Sequence, residues 1–273
     1  MKKILLVFDG NHFSEGAFRM ITFLNEFEPV LATGVFLQPI DYRDIVGYSG
    51  MGTTTPITVA PYESDESLIN RNMRYFEQKC EHAGLEFRSH RDTDLFALQE
   101  LQTETRFADL MILSSEIFYE NIGNEQPNDY LRKVLRQTEC PVLLVPEKYA
   151  LPSRIMLAYD GKADSVFAIK QFTYLFPQLF HWETKLISLE EKNEPLPHQE
   201  LIEELAAKHF SNLTLESVTH ETSETFANWV AEQTEYMLVT GAYGRSELSN
   251  LFKKSFLSDV IGQHKIPVFV AHK

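Results

Sequence analysis

The chain opens on Lys3-Ile4-Leu5-Leu6-Val7-Phe8-Asp9-Gly10 and returns, about 150 positions later, to Arg154-Ile155-Met156-Leu157-Ala158-Tyr159-Asp160-Gly161. Each stretch is a short apolar run stopped by Asp-Gly, a pair that favours a turn. Each is followed, further on, by a second apolar run that opens at a proline. These are Cys140-Pro141-Val142-Leu143-Leu144-Val145 and Ile266-Pro267-Val268-Phe269-Val270. A pattern that recurs in the same order predicts a duplicated unit, and the duplication governs how the rest of the chain is read.

Between these landmarks each copy alternates short apolar runs with longer segments of helical spacing. The first copy reads as strands over Lys3–Phe8, Val30–Leu37, Leu85–Ser89, Leu110–Ser114 and Val142–Val145. Its helices read as Ser14–Phe27, Asp65–Ala83, Asp94–Phe107 and Asp129–Thr138. The second copy reads as strands over Arg154–Tyr159, Thr184–Leu189, Leu213–Val218, Met237–Thr240 and Val268–Val270. Its helices read as Asp164–Phe176, Pro197–Phe210, Glu221–Thr234 and Asn250–Ile261. Strands this apolar, separated by helices, predict parallel sheets covered on both faces. The fold class expected is α/β, two tandem open five-stranded sheets, with one domain over 1–147 and the other over 152–273. From Asp9 to Pro141 is 132 positions and from Asp160 to Pro267 is 107, so the first copy is 25 longer. The excess fits the Gly-, Thr- and Pro-rich stretch near 38–62, either a lid or partner-binding arm or a loop laid on the surface.

The bulk properties narrow the function. A chain of 273 residues is long enough for two domains. Its formal net charge of -14 sets it against a phosphate backbone, so a nucleic-acid partner is not expected. A small anionic nucleotide is compatible with that charge where amides and a few cations converge. The opening apolar run is too short for a signal peptide, and no stretch approaches a membrane span. The two cysteines, Cys80 and Cys140, have neither metal-binding nor redox spacing, and the nine histidines form no ligand motif. A reduced, cytoplasmic protein without a membrane partner is the expectation.

Open α/β sheets bind ligands beyond the carboxyl ends of their strands. In the second copy one such end is Asp160-Gly161. Another runs on as Thr240-Gly241-Ala242-Tyr243-Gly244-Arg245-Ser246, before a helix that contains Lys253-Lys254-Ser255. Gly241 and Gly244 permit a tight turn and a close approach to a ligand. Free amides there hold phosphate well. Asp160 can accept from a ribose hydroxyl or an adenine amine, Ser255 can donate to phosphate, and Arg245, Lys253 and Lys254 bring positive charge. The same residues also suit plainer roles: a turn or helix cap for Asp160-Gly161, a turn for the glycines, solvated surface for the lysines.

Asp160, the Gly241-x-x-Gly244 pair, the nine residues after it and then Lys254-Ser255 resemble the nucleotide-binding signature of the universal stress protein family. The resemblance extends over the whole chain as two tandem copies. It implies a Rossmann-like strand order of 3-2-1-4-5 in each copy and an adenine nucleotide (ATP, ADP or AMP, with magnesium accompanying the phosphates) held by Asp160, Gly161, Gly241, Gly244, Arg245, Lys254 and Ser255. It also implies a sensing or regulatory stress-response role and pairing of the two strands after Pro141 and Pro267 as an internal pseudo-dimer, with room for further homodimerisation. One departure is visible. Lys254 stands where nucleotide-binding members carry a third glycine, and its side chain either clashes with the phosphates or neutralises them. No catalytic residue and no dedicated metal ligand stands out, and hydrolysis has little to rest on. The first copy has lost the signature. With Pro141 set against Pro267, Gly241 becomes Ser115, Gly244 becomes Phe118, Lys254 becomes Asn128 and Ser255 becomes Asp129, while Glu116 and Glu120 add negative charge. The first copy therefore reads as non-binding. The alternative for the whole chain is an interaction module in which both copies have lost the nucleotide.

Overall fold

The structure is a computed structural model that describes residues 1–9, 12–37, 63–92, 97–116, 135, 137–189, 197–218, 223–241 and 256–272. The insertion expected near 38–62 lies outside the described residues.

In chain order the first half contains β1 (Lys2–Phe8), α1 (Glu15–Phe27), β2 (Val30–Leu37), α2 (Glu63–Ala83), β3 (Glu86–Asp92), α3 (Ala97–Arg106), β4 (Leu110–Ser114) and β5 (Val142–Val145). The second contains β6 (Arg154–Tyr159), α4 (Ala163–Leu175), a 3-10 turn at Pro177–Leu179, β7 (Glu183–Leu189), α5 (Gln199–His209), β8 (Asn212–Val218), α6 (Ser223–Glu232), β9 (Tyr236–Gly241), α7 (Phe256–Gly262) and β10 (Val268–Ala271). The ten strands form one sheet in the order β3-β2-β1-β4-β5-β10-β9-β6-β7-β8. Read within each half, that is 3-2-1-4-5 twice. All pairings are parallel except β5 with β10, which is antiparallel. The carboxyl ends of the two halves therefore lie on opposite edges of the sheet.

The reason for these runs is burial on both faces. Along β1, Ile4, Leu6 and Phe8 enter a core with Phe18, Ile21 and Phe76, while Leu5 and Val7 enter a second core with Leu101 and Leu135. Alternate residues thus point into two different apolar layers, which is why the run shows no polar alternation. Helices α1, α2, α4 and α5 supply the first layer, and α3, α6 and α7 the second. Helix α1 begins where the Ser14 side chain accepts from the Ala17 amide at 3.0 Å, a side-chain N-cap.

Most element ends shift by a residue or two, α5 for one starting at Gln199 after a turn at Pro197 and not at Pro197 itself, and two departures are larger. Strand β3 runs three residues beyond Ser89, because parallel pairing with β2 continues to Leu37 opposite Asp92. Its Arg, His and Asp residues carry no apolar signature, since β3 is an outer strand. The Pro177–Leu179 turn was not expected as an element. Pro177 starts it and Leu179 is buried beneath it. Both cysteines are buried, and burial pushes each thiol up to about 12, so neither carries thiolate at neutral pH.

Candidate functional site

Strands β6 and β9 are neighbours, with Leu157 opposite Val239. That register sets the end of β6 beside the end of β9 and brings Asp160, Gly161 and Gly241 to one edge of the second half. Gly244, Arg245, Lys254 and Ser255 lie outside the described residues.

Asp160 is exposed and shapes the turn into α4. Its Oδ1 accepts from the Lys162 amide at 3.0 Å, and its Oδ2 lies 3.9 Å from Lys162 Nζ. Gly161 has φ +76°, in the left-handed region where a β-carbon is strained. A β-carbon there would also lie 2.7 Å from Cβ of Pro197. The Tyr159 hydroxyl donates to the Pro197 carbonyl oxygen at 2.8 Å. Burial, and then the neighbouring Asp160 carboxylate, raise the pKa of that hydroxyl, so it remains a donor at neutral pH. Pro197 and Tyr159 therefore wall this edge. Sequence reasoning missed both, because the loop that carries Pro197 is distant in the chain and tyrosine at a strand end looks like core.

Gly241 answers a close approach. A β-carbon there would lie 2.5 Å from the Asp164 carbonyl carbon and 2.6 Å from both Asp164 O and Ser165 N. The end of β9 is thus pressed on the backbone of the first turn of α4. The side chain of Ser165 donates to the Lys162 carbonyl at 2.8 Å and fastens the same turn. Glycine at 241 is required by packing whether or not a ligand approaches.

The equivalent edge of the first half is filled differently. Asp9 accepts from the His12 amide at 2.7 Å and meets His12 Nδ1 at 2.7 Å. Phe8 stacks on Phe13 at 4.9 Å and on Phe36 at 4.8 Å between centroids, with the edge of Phe76 at 6.0 Å. In the second half the strand partner of Tyr159 is Ser188, where the first half pairs Phe8 with Phe36. Counting from the shared Asp-Gly, Phe13 falls at Asp164. Three stacked rings in one half thus correspond to a tyrosine, an aspartate and a serine in the other. Ser115, the counterpart of Gly241, is buried, and its hydroxyl meets His264 Nδ1 at 3.0 Å.

No family model matches the chain. Across 98% of its length, however, it is 20% identical to a universal stress protein of Synechocystis sp., covering 99% of that protein. The chain is similar to a universal stress protein along its whole length. The fold agrees: a universal stress protein from Archaeoglobus fulgidus DSM 4304 superposes with a TM-score of 0.67 at 15% identity, over 100% of this chain and 96% of that one. A universal stress protein from Pseudomonas aeruginosa UCBPP-PA14 gives 0.52 at 13% identity, over 100% and 93%. No helix among the described residues is long and apolar enough to cross a membrane. No group of three or more His, Cys, Asp or Glu side chains is gathered as a metal site among the described residues.

Proposed function

We propose that this chain is a universal stress protein that acts in the stress response of the cytoplasm by binding one adenine nucleotide in its second domain, 152–273, while its first domain, 1–147, binds none. The observation that carries the reading is the contrast at equivalent strand ends. The first half closes its edge with the Phe8, Phe13 and Phe36 stack; the second has Tyr159, Asp164 and Ser188 at the matching positions, the first and last of them buried, beside the exposed carboxylate of Asp160. The Asp160 carboxylate offers a ribose hydroxyl an acceptor at the surface, whereas the matching end of the first half is packed with aromatic rings. Asp160 would accept from the ribose or the base. Gly241 and Gly244 would hold the backbone open to phosphate, with Arg245, Lys254 and Ser255 around it. A magnesium ion would arrive with the phosphates.

A second reading rests on Gly241 and Pro197. Gly241 is required by α4 alone, and the Pro197 ring lies against Gly161, so this edge also serves a protein that binds no nucleotide and works through partner contacts.

Calorimetric titration with ATP, ADP and AMP, with and without magnesium, separates the two. The expected stoichiometry is one nucleotide per chain. Asp160→Ala and Gly244→Val should each weaken binding at least about tenfold, the loss of one good hydrogen bond to a charged group, whereas Asp9→Ala should leave it unchanged. Two comparable sites would overturn the asymmetry, and no heat with any of the three would select the second reading.

A further inference from the structure

The two outer strands of the sheet, β3 and β8, are finished in opposite ways. Strand β3 reads Glu86-Phe87-Arg88-Ser89-His90-Arg91-Asp92, with charge at most positions, the usual protection of an exposed edge. Strand β8 reads Asn212-Leu213-Thr214-Leu215-Glu216-Ser217-Val218 and has one charge. That charge is already met by Lys185 Nζ at 2.8 Å. Strand β8 pairs with β7 along its whole length, and among the described residues no strand lies on its other side. Leu215, at its centre, is 44% exposed. An unprotected edge with a central exposed leucine is a template for another strand.

We propose that two copies of this chain join through β8, antiparallel about a twofold axis at Leu215, to give one continuous sheet of twenty strands. Self-pairing suits the sequence of this strand. Centred on Leu215, it sets leucine against leucine, Thr214 against Glu216 and Leu213 against Ser217, so no like charges face each other. The same operation on β3, centred on Ser89, sets Arg88 against His90 and Glu86 against Asp92, which repels. The molecule already contains one such joint. Its own halves meet by antiparallel pairing of β5 with β10, and the central pair, Leu143 opposite Phe269, joins equivalent positions of the two copies. A second joint of the same kind at β8 needs only backbone groups and the leucine pair.

Light scattering on the purified full chain at micromolar concentration tests this. The wild type should have twice the 31.5 kDa chain mass. Leu215→Lys should halve it, with an unchanged circular dichroism spectrum to show that the fold is intact. Leu215→Cys should form an intermolecular disulfide on mild oxidation, which the buried Cys80 and Cys140 do not. A monomeric wild type overturns the proposal. So does a dimer that survives Leu215→Lys, or one that is cross-linked through Ser89→Cys and not through Leu215→Cys.

Discussion

Gly241 stands in the sequence as one member of a glycine pair, and its role there is ligand approach. In the structure it has a second, independent task. The backbone of Asp164 and Ser165 occupies the space that a β-carbon would need. Gly241→Ala should therefore push α4 away from β9 and destabilise the protein by about 1–3 kcal/mol, as overpacking does, read as a fall in the urea midpoint. If stability is unchanged, the close contact is not there. Because the same substitution disturbs the turn after Asp160, its effect on nucleotide binding says little about phosphate contact, and Gly244→Val is the cleaner probe. Asp160 shows the same doubling of roles. It makes the turn into α4 through the Lys162 amide and leaves its carboxylate at the surface. A residue's type and spacing identify a candidate; whether packing alone already demands that residue is a property of its neighbours.

Among the elements, α1 depends on a segment far from it in sequence. Ser14 caps its first turn and also donates to the Glu147 carboxylate, whose other oxygen accepts from the Gly16 amide at 3.2 Å. Gly16 sits where a β-carbon would meet the Pro146 carbonyl oxygen at 2.1 Å. Two otherwise unpaired amides of the helix start are therefore satisfied, one by Ser14 and one by Glu147. Ser14→Ala should cost about 1 kcal/mol, the usual value of a lost N-cap. Glu147→Gln should cost a comparable amount, and the double variant less than the sum, because the two side chains share one hydrogen-bonded group. Thermal denaturation of the four proteins measures the coupling; strict additivity would show that the connector and the cap act separately. The strands and helices themselves were legible from apolar runs and helical spacing, and β2, β4, β5 and β6 fall on the expected residues. The end of β3 was not, since an outer strand made of charged residues is defined by its partner and not by burial.

Across the whole molecule the two halves are held by the β5–β10 seam. Phe269 lies in it fully buried, 5.2 Å from Phe172 and 6.3 Å from Phe176 between ring centroids. Outside the sheet, Phe23 and Phe27 of α1 pack on Trp182 of the second half at 6.2 and 6.0 Å. A core that crosses the boundary in this way should unfold as one unit. Calorimetry of the wild type should show a single transition, and Phe269→Ala should lower its midpoint through a loss of about 3–5 kcal/mol. Two resolved transitions in the wild type would mean that the halves unfold independently despite the shared sheet.

The sequence alone determined the duplication, the alternation of strands with helices and the inequality of the two copies. Those features are written locally, in the Asp-Gly stops, the proline-led runs and the loss of both loop glycines from the first copy. The tertiary structure decided what no local pattern encodes. It closed the first half's edge with three phenylalanines drawn from a strand end, a loop and a second strand. It laid Pro197 on Gly161 and the start of α4 on Gly241. It made β3 and β8 the outer strands by spending β5 and β10 on each other. Contacts between residues distant in the chain depend on how the strands are ordered, and that order follows from burying every apolar run at once.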